Sequence, residues 1–129
     1  MIMAKKIERF GLPAPGATPA AKAVKADGWL YVSGMVPKDK QGDIVYGTIK
    51  TQGRQALDNL MDTLRLAGYE PKNVVRVTVY LDDARDFAAF NAVYREYFST
   101  EDAPARVCIL ASKPTDIKVE LDCIAWKAE

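Results

Sequence analysis

The residue with the clearest chemical demand is an arginine that opens an apolar strand. In Pro104-Ala105-Arg106-Val107-Cys108-Ile109, strand alternation puts Arg106 and Cys108 on one face and Val107 and Ile109 on the other. A guanidinium drawn towards a sheet needs an anionic partner. Two partners are open: an Asp or Glu on a neighbouring strand, or the carboxylate of a bound substrate. The planar fork of arginine suits bidentate capture of a carboxylate better than a lysine ammonium does. A second candidate lies in Lys118-Val119-Glu120-Leu121-Asp122, where Glu120 and Asp122 share the face opposite Val119 and Leu121. These carboxylates either form a solvated face or, in a partly closed site, let Glu120 orient or deprotonate a water molecule.

What is missing narrows the chemistry further. The chain contains no histidine, which excludes Ser-His-Asp and Cys-His nucleophiles, histidine-ligated zinc and histidine acid-base pairs. Its two cysteines, Cys108 and Cys123, form no C-x-x-C pair, and they are expected as reduced thiols packed like small apolar groups. Eighteen Lys and Arg against 17 Asp and Glu leave a net charge of +1, so nothing draws the chain to nucleic acid or anionic lipid. Nucleic acid is not an expected partner, and neither is a membrane. No signal-peptide core follows Met1, and no apolar run approaches the roughly 18 residues of a membrane span, so a cytoplasmic location is expected.

The elements that must carry Arg106 and Glu120 are legible from periodicity. The 129 residues have the size of one domain, expected to span 1–129. Segment 11–19 is dense in Gly and Pro and reads as a loop or arm. Asp27-Gly28 marks a hairpin turn between strands over 21–26 and 29–33, and 37–42 is a second turn. Ala56, Leu57, Leu60, Met61 and Leu64 predict an amphipathic helix over 51–67 that stops at Gly68. Segment 74–81 alternates as a strand, with Val75, Val77, Val79 and Leu81 on one side. Phe87, Phe90, Val93, Tyr94, Tyr97 and Phe98 predict a second helix over 86–98 with an aromatic stripe facing the core. Strands over 106–111 and 117–126 complete an α+β layer with helices on one side of a mixed sheet. The other side carries groups such as Tyr80, Ile124 and Trp126, and an uncovered apolar face of this kind predicts self-assembly.

Four blocks of the sequence resemble the signature of the RidA/YjgF family. They are Ser33-Gly34, then Asp86-Phe87 with Asn91-Ala92-Val93-Tyr94 and Phe98, then Pro104-Ala105-Arg106-Val107-Cys108, then Lys118-Val119-Glu120-Leu121-Asp122-Cys123-Ile124-Ala125. They stand in the family's order and spacing over nearly the whole chain. The resemblance implies a chorismate-mutase-like fold, with two helices on one face of a mixed β-sheet. It also implies a homotrimer with ligand clefts between neighbouring chains. On it, Arg106 falls at the essential arginine and Glu120 at the water-holding glutamate, while Ser33, Gly34, Asn91 and Cys108 fall at cleft-lining, substrate-binding positions. The implied activity is deamination of small 2-imino or enamino acids to 2-keto acids, with no metal and no cofactor. The chain also departs from the archetype. Thr18-Pro19-Ala20 replaces a Gly-Pro-Tyr run, the linker before Pro104 is shorter, and the turn at 111–116 differs, which implies a divergent member with a reshaped pocket.

Two other functions remain open at this stage. A non-catalytic module would keep Arg106 for binding small carboxylates and lose hydrolysis. An endoribonuclease or translation inhibitor, as some members of this family have been described, would need a phosphate-tracking Lys/Arg cluster that the sequence lacks.

Overall fold

Strand β6 (Val119–Trp126) alternates strictly, burying Val119, Leu121, Cys123 and Ala125, and this pattern makes it the middle of the sheet. The computed structural model describes residues 7–129. Around β6 lie β1 (Ile7–Phe10), β2 (Ala23–Ala26), β3 (Trp29–Met35), β4 (Val74–Leu81) and β5 (Ala105–Leu110), in the order β1-β2-β3-β6-β4-β5. All neighbouring pairs are antiparallel except β4 and β5, which run parallel because α2 (Phe87–Tyr94) lies in the connection between them. The sheet is therefore mixed, and helix α1 (Ile49–Leu66) packs beside α2 on one of its faces.

Helix α1 starts where the Thr48 side chain accepts the Thr51 amide at 3.3 Å. It ends where the Tyr69 amide donates back to Leu64 and the Gly68 amide to Arg65, the paired bonds of a left-handed helix stop. Its inward stripe of Ile49, Ala56, Leu57, Leu60 and Leu64 meets Leu30, Val32, Val79, Leu121 and Phe90 in one apolar core. At the β2–β3 hairpin, Asp27 and Gly28 both take positive φ, at 52° and 85°, as a two-residue primed turn requires.

The structure corrects three sequence expectations. Val75 does not share the face of Val77: it is exposed and Val74 is buried instead, because an extra residue bulges from β4 between its pairings to Ala125 and Ile124. The second helix stops at Tyr94, not at 98. Beyond it the backbone tightens into turns closed by Glu96 to Val93 and Tyr97 to Tyr94 bonds, which lets the Tyr97 hydroxyl donate to Asp58 on α1 at 2.7 Å. Phe87 is not core, being 47% exposed. Strand β1, for which the sequence set no expectation, is a four-residue edge strand with Glu8 and Arg9 at its centre, too short for a periodic signal.

Among the described residues, nothing packs on the apolar sheet face away from the helices. Trp29, Tyr31, Val107, Ile109 and Trp126 stand exposed on it, beside half-buried Tyr80 and Ile124, and the rings of Trp29 and Trp126 meet at 6.4 Å.

The helical side of the core sets the first expected outcome. Leu60 and Phe90 are fully buried, so Leu60→Ala and Phe90→Ala should each lower unfolding free energy by about 2 to 5 kcal/mol. Chemical denaturation checks this, and wild-type midpoints for both variants would show that these stripes are not the core.

Candidate functional site

Parallel pairing with β4 sets the orientation of Arg106. It lies opposite Val77, and Cys108 lies opposite Val79, so both point to the helix side of β5 at the edge of the sheet. Helix α2 supplies the partners of Arg106. From it, Asn91 accepts a hydrogen bond from Nη2 of Arg106 at 2.6 Å, through its side-chain oxygen Oδ1. The guanidinium carbon also lies 4.6 Å from the centre of the Tyr94 ring and 5.9 Å from that of Phe87. No carboxylate among the described residues lies within ion-pair distance of Arg106. The neighbouring-strand ion pair that the sequence left open is therefore not formed among the described residues, and there the cation is met by an amide oxygen and two ring faces.

Burial raises the pKa values around this cation. The Tyr94 hydroxyl is buried with no hydrogen-bond partner among the described residues. Burial pushes it up to about 12, and the nearby Arg106 charge pulls it part of the way back. Burial likewise raises the Cys108 thiol, opposed by Arg106, so it stays protonated at neutral pH. Cys123, in the core beneath, is pushed up to about 12 by burial. Both cysteines are free thiols.

Glu120 is elsewhere. It pairs with Tyr80 across the β6–β4 ladder and shares the face opposite the buried Val119 and Leu121. Arg106 and Glu120 thus lie on opposite faces of one sheet. Beside Glu120, the β3 register to β6 shifts between Val32 and Met35, and Gly34 in this irregular stretch lies against the carboxylate. A Cβ on Gly34 would overlap Oε2 of Glu120 and stand 3.0 Å from its Cδ, so glycine is what allows the acid to lie against the backbone. The half-buried Glu120 carboxylate has no hydrogen-bond or ion-pair partner among the described residues. Ser33 donates from Oγ to the Ala21 carbonyl at 2.6 Å, tying this stretch to the end of the N-terminal loop that contains Ala20.

The six candidate residues therefore form two groups. Asn91, Arg106 and Cys108 gather under α2, and Ser33, Gly34 and Glu120 gather on the far face. The cleft of about 630 Å³ bordered by Gly34 runs between β3, the turn after it and α1, and neither Arg106 nor Glu120 lines it. Sequence reasoning had assigned Phe87 and Tyr94 to the core. Their i and i+7 positions around Asn91 at i+4 were the available signal that they meet Arg106. Also missed was Gln52, a buried helix residue that donates to the Val45 carbonyl and accepts the Lys118 amide at 2.8 Å, fixing the chain two residues before Glu120.

Known proteins are similar to this chain in sequence and fold. A family model described as Endoribonuclease L-PSP matches residues 13–127. A RutC family protein of Pyrococcus horikoshii is 47% identical over 111 residues, covering 84% of this chain and 87% of its own. The 2-iminobutanoate/2-iminopropanoate deaminase of Salmonella typhimurium is 33% identical over 126 residues, covering 95% of this chain and 98% of its own. Among solved structures, yeast Mmf1 matches with a TM-score of 0.86 and 32% identity, over 95% of this chain and 99% of that one. A match that runs from the N-terminal loop through β6, with the same mixed sheet and two helices, establishes that the chain belongs to the Endoribonuclease L-PSP family, also called RidA/YjgF.

Proposed function

We propose that this protein hydrolyses small 2-imino and enamino acids to 2-keto acids and ammonia, in clefts between the subunits of a homotrimer. The observation that carries the reading is the state of Arg106: a half-buried guanidinium at a strand edge, oriented by Asn91 and two rings, with no carboxylate of the described residues to neutralise it. Such a cation is suited to bidentate capture of a substrate carboxylate. The Salmonella deaminase relative bears a name that matches this chemistry.

Opposite faces of one sheet cannot present Arg106 and Glu120 to the same small molecule. A second copy can, if its Glu120 face packs beside the first copy's β5 edge. The uncovered apolar face around Trp29, Tyr31 and Trp126 supplies the driving force for that contact.

In the proposed reaction, Arg106 holds the carboxylate and fixes the imine carbon near a water molecule. Glu120 of the adjoining subunit orients that water and takes its proton as the oxygen adds to the C=N carbon. The imine nitrogen gains a proton to give a carbinolamine. Collapse then forms the C=O bond, breaks the C–N bond and releases ammonia. Such imines hydrolyse unaided, so a modest lowering of the barrier suffices. Phosphodiester cleavage, which the family description carries, finds less support in a chain with no histidine and a net charge of +1.

Two outcomes test this reading. Light scattering at micromolar concentration should give three times the 14.2 kDa chain mass, and a monomer mass would remove the shared cleft. The second uses imine generated from alanine by an amino-acid oxidase, with semicarbazone loss reporting hydrolysis and pyruvate as the binding probe. Arg106→Lys keeps the charge but loses the fork, so pyruvate affinity should fall roughly ten-fold or more. Glu120→Gln should leave pyruvate affinity near wild type while hydrolysis drops by about 10²-fold, or to the buffer rate if that is reached first. Unaltered hydrolysis by a folded Arg106→Ala protein would exclude the mechanism, and Arg106-dependent binding without hydrolysis would identify a carboxylate-binding module instead.

A further inference from the structure

Phe87, Asn91 and Tyr94 stand at i, i+4 and i+7 on α2, and all three meet the Arg106 guanidinium. Asn91 consumes one N–H. The two rings consume none, because the electron-rich face of an aromatic ring attracts a cation without accepting a directional bond from it. That difference matters for an arginine that must keep a pair of parallel N–H groups free for a carboxylate, on a side chain with several rotatable bonds.

The two rings differ in how the fold holds them. Tyr94 is backed by Phe98, stacked at 4.8 Å and 28°, and by Phe90 at 6.0 Å, so its ring is a fixed platform. The Arg106 guanidinium carbon lies 4.6 Å from the centre of this ring, closer than it lies to Phe87. Phe87 is 47% exposed and stands outside the core cluster. Its side chain adds little to folding, while its ring lies within reach of Arg106.

We infer that Phe87 and Tyr94 are positioning residues that hold the Arg106 guanidinium by their ring faces and so set its affinity for the substrate carboxylate. This rests on the proposed role of Arg106. The rings act before chemistry, so their loss should appear in binding and KM and leave kcat nearly unchanged.

Phe87→Leu tests this with little risk to folding, since the position is exposed. Pyruvate Kd and imine KM should rise together by roughly 2- to 30-fold, the span expected for cation–ring contacts from exposed to desolvated sites, with the melting temperature near wild type. Tyr94→Leu should act in the same direction, and Tyr94→Phe, which keeps the ring, should restore affinity to within about two-fold. In an Arg106→Ala background, Phe87→Leu should weaken pyruvate binding no further. A series of increasingly fluorinated phenylalanines at position 87 drains the ring face at nearly constant size and should raise KM stepwise. A flat series overturns the inference, even if Tyr94→Leu fails to fold. Arg106→Ala that loses pyruvate while the ring variants bind like wild type also overturns it, and leaves the proposed function standing. Arg106→Ala that binds and hydrolyses like wild type overturns both.

Discussion

A guanidinium on the inner side of an edge strand has lost much of its water and must be compensated by something nearby. The geometry around β5 follows from that constraint. A carboxylate from the same chain would neutralise Arg106 and occupy its fork. The protein instead offers one amide oxygen, from Asn91, and the faces of two rings. These partners stabilise the positive charge without saturating its donors. Helix α2 delivers all three from one stripe, while Phe90 and Val93 on its adjoining side are buried and anchor it in the core.

The sheet divides the remaining chemistry. Its inner face is closed by α1 and α2 and leaves Arg106 at the margin, while its outer face combines Glu120 with exposed aromatic residues. A half-buried acid beside an apolar surface is costly for an isolated chain and useful for one that assembles, because assembly buries the surface and brings the acid to a neighbour. The irregular stretch of β3 has the same logic. By displacing Ser33 and Gly34 from the regular ladder it lets Glu120 lie against backbone, where a regular β3 with any larger residue would push it out.

Strong periodicity made most of the fold legible. The α1 stripe, the β6 alternation and the Asp27-Gly28 turn each follow a local rule that tertiary packing does not oppose. The failures share one cause, a local irregularity imposed from a distance. The β4 bulge at Val75 arises from pairing with β6, and the early end of α2 coincides with the Tyr97 bond to Asp58, 39 residues away. The candidate site was legible residue by residue but not as an arrangement. Alternation separated Glu120 from Val119 and Arg106 from Val107. Only the pairing order reveals that Arg106 and Glu120 face opposite ways. Gln52 was invisible for a related reason: on a helical wheel it is an ordinary polar spacer, and its burial comes from two loops that close over it.

The protonation states of the thiols limit which substrates the proposed site could turn over. Burial raises Cys108 and Cys123, the latter to about 12, and there is no histidine to deprotonate either. Neither sulfur is thereby an activated nucleophile. Water is a weaker nucleophile than a thiolate, and with a single carboxylate to take its proton it is best matched to carbons that are already strongly electrophilic. A 2-imino acid held through its carboxylate meets that condition, whereas an unactivated amide or ester does not. The same features that keep the site chemically mild thus narrow the proposed reaction to substrates that are close to hydrolysing unaided, for which orientation by Arg106 and its aromatic neighbours is most of what an enzyme must supply.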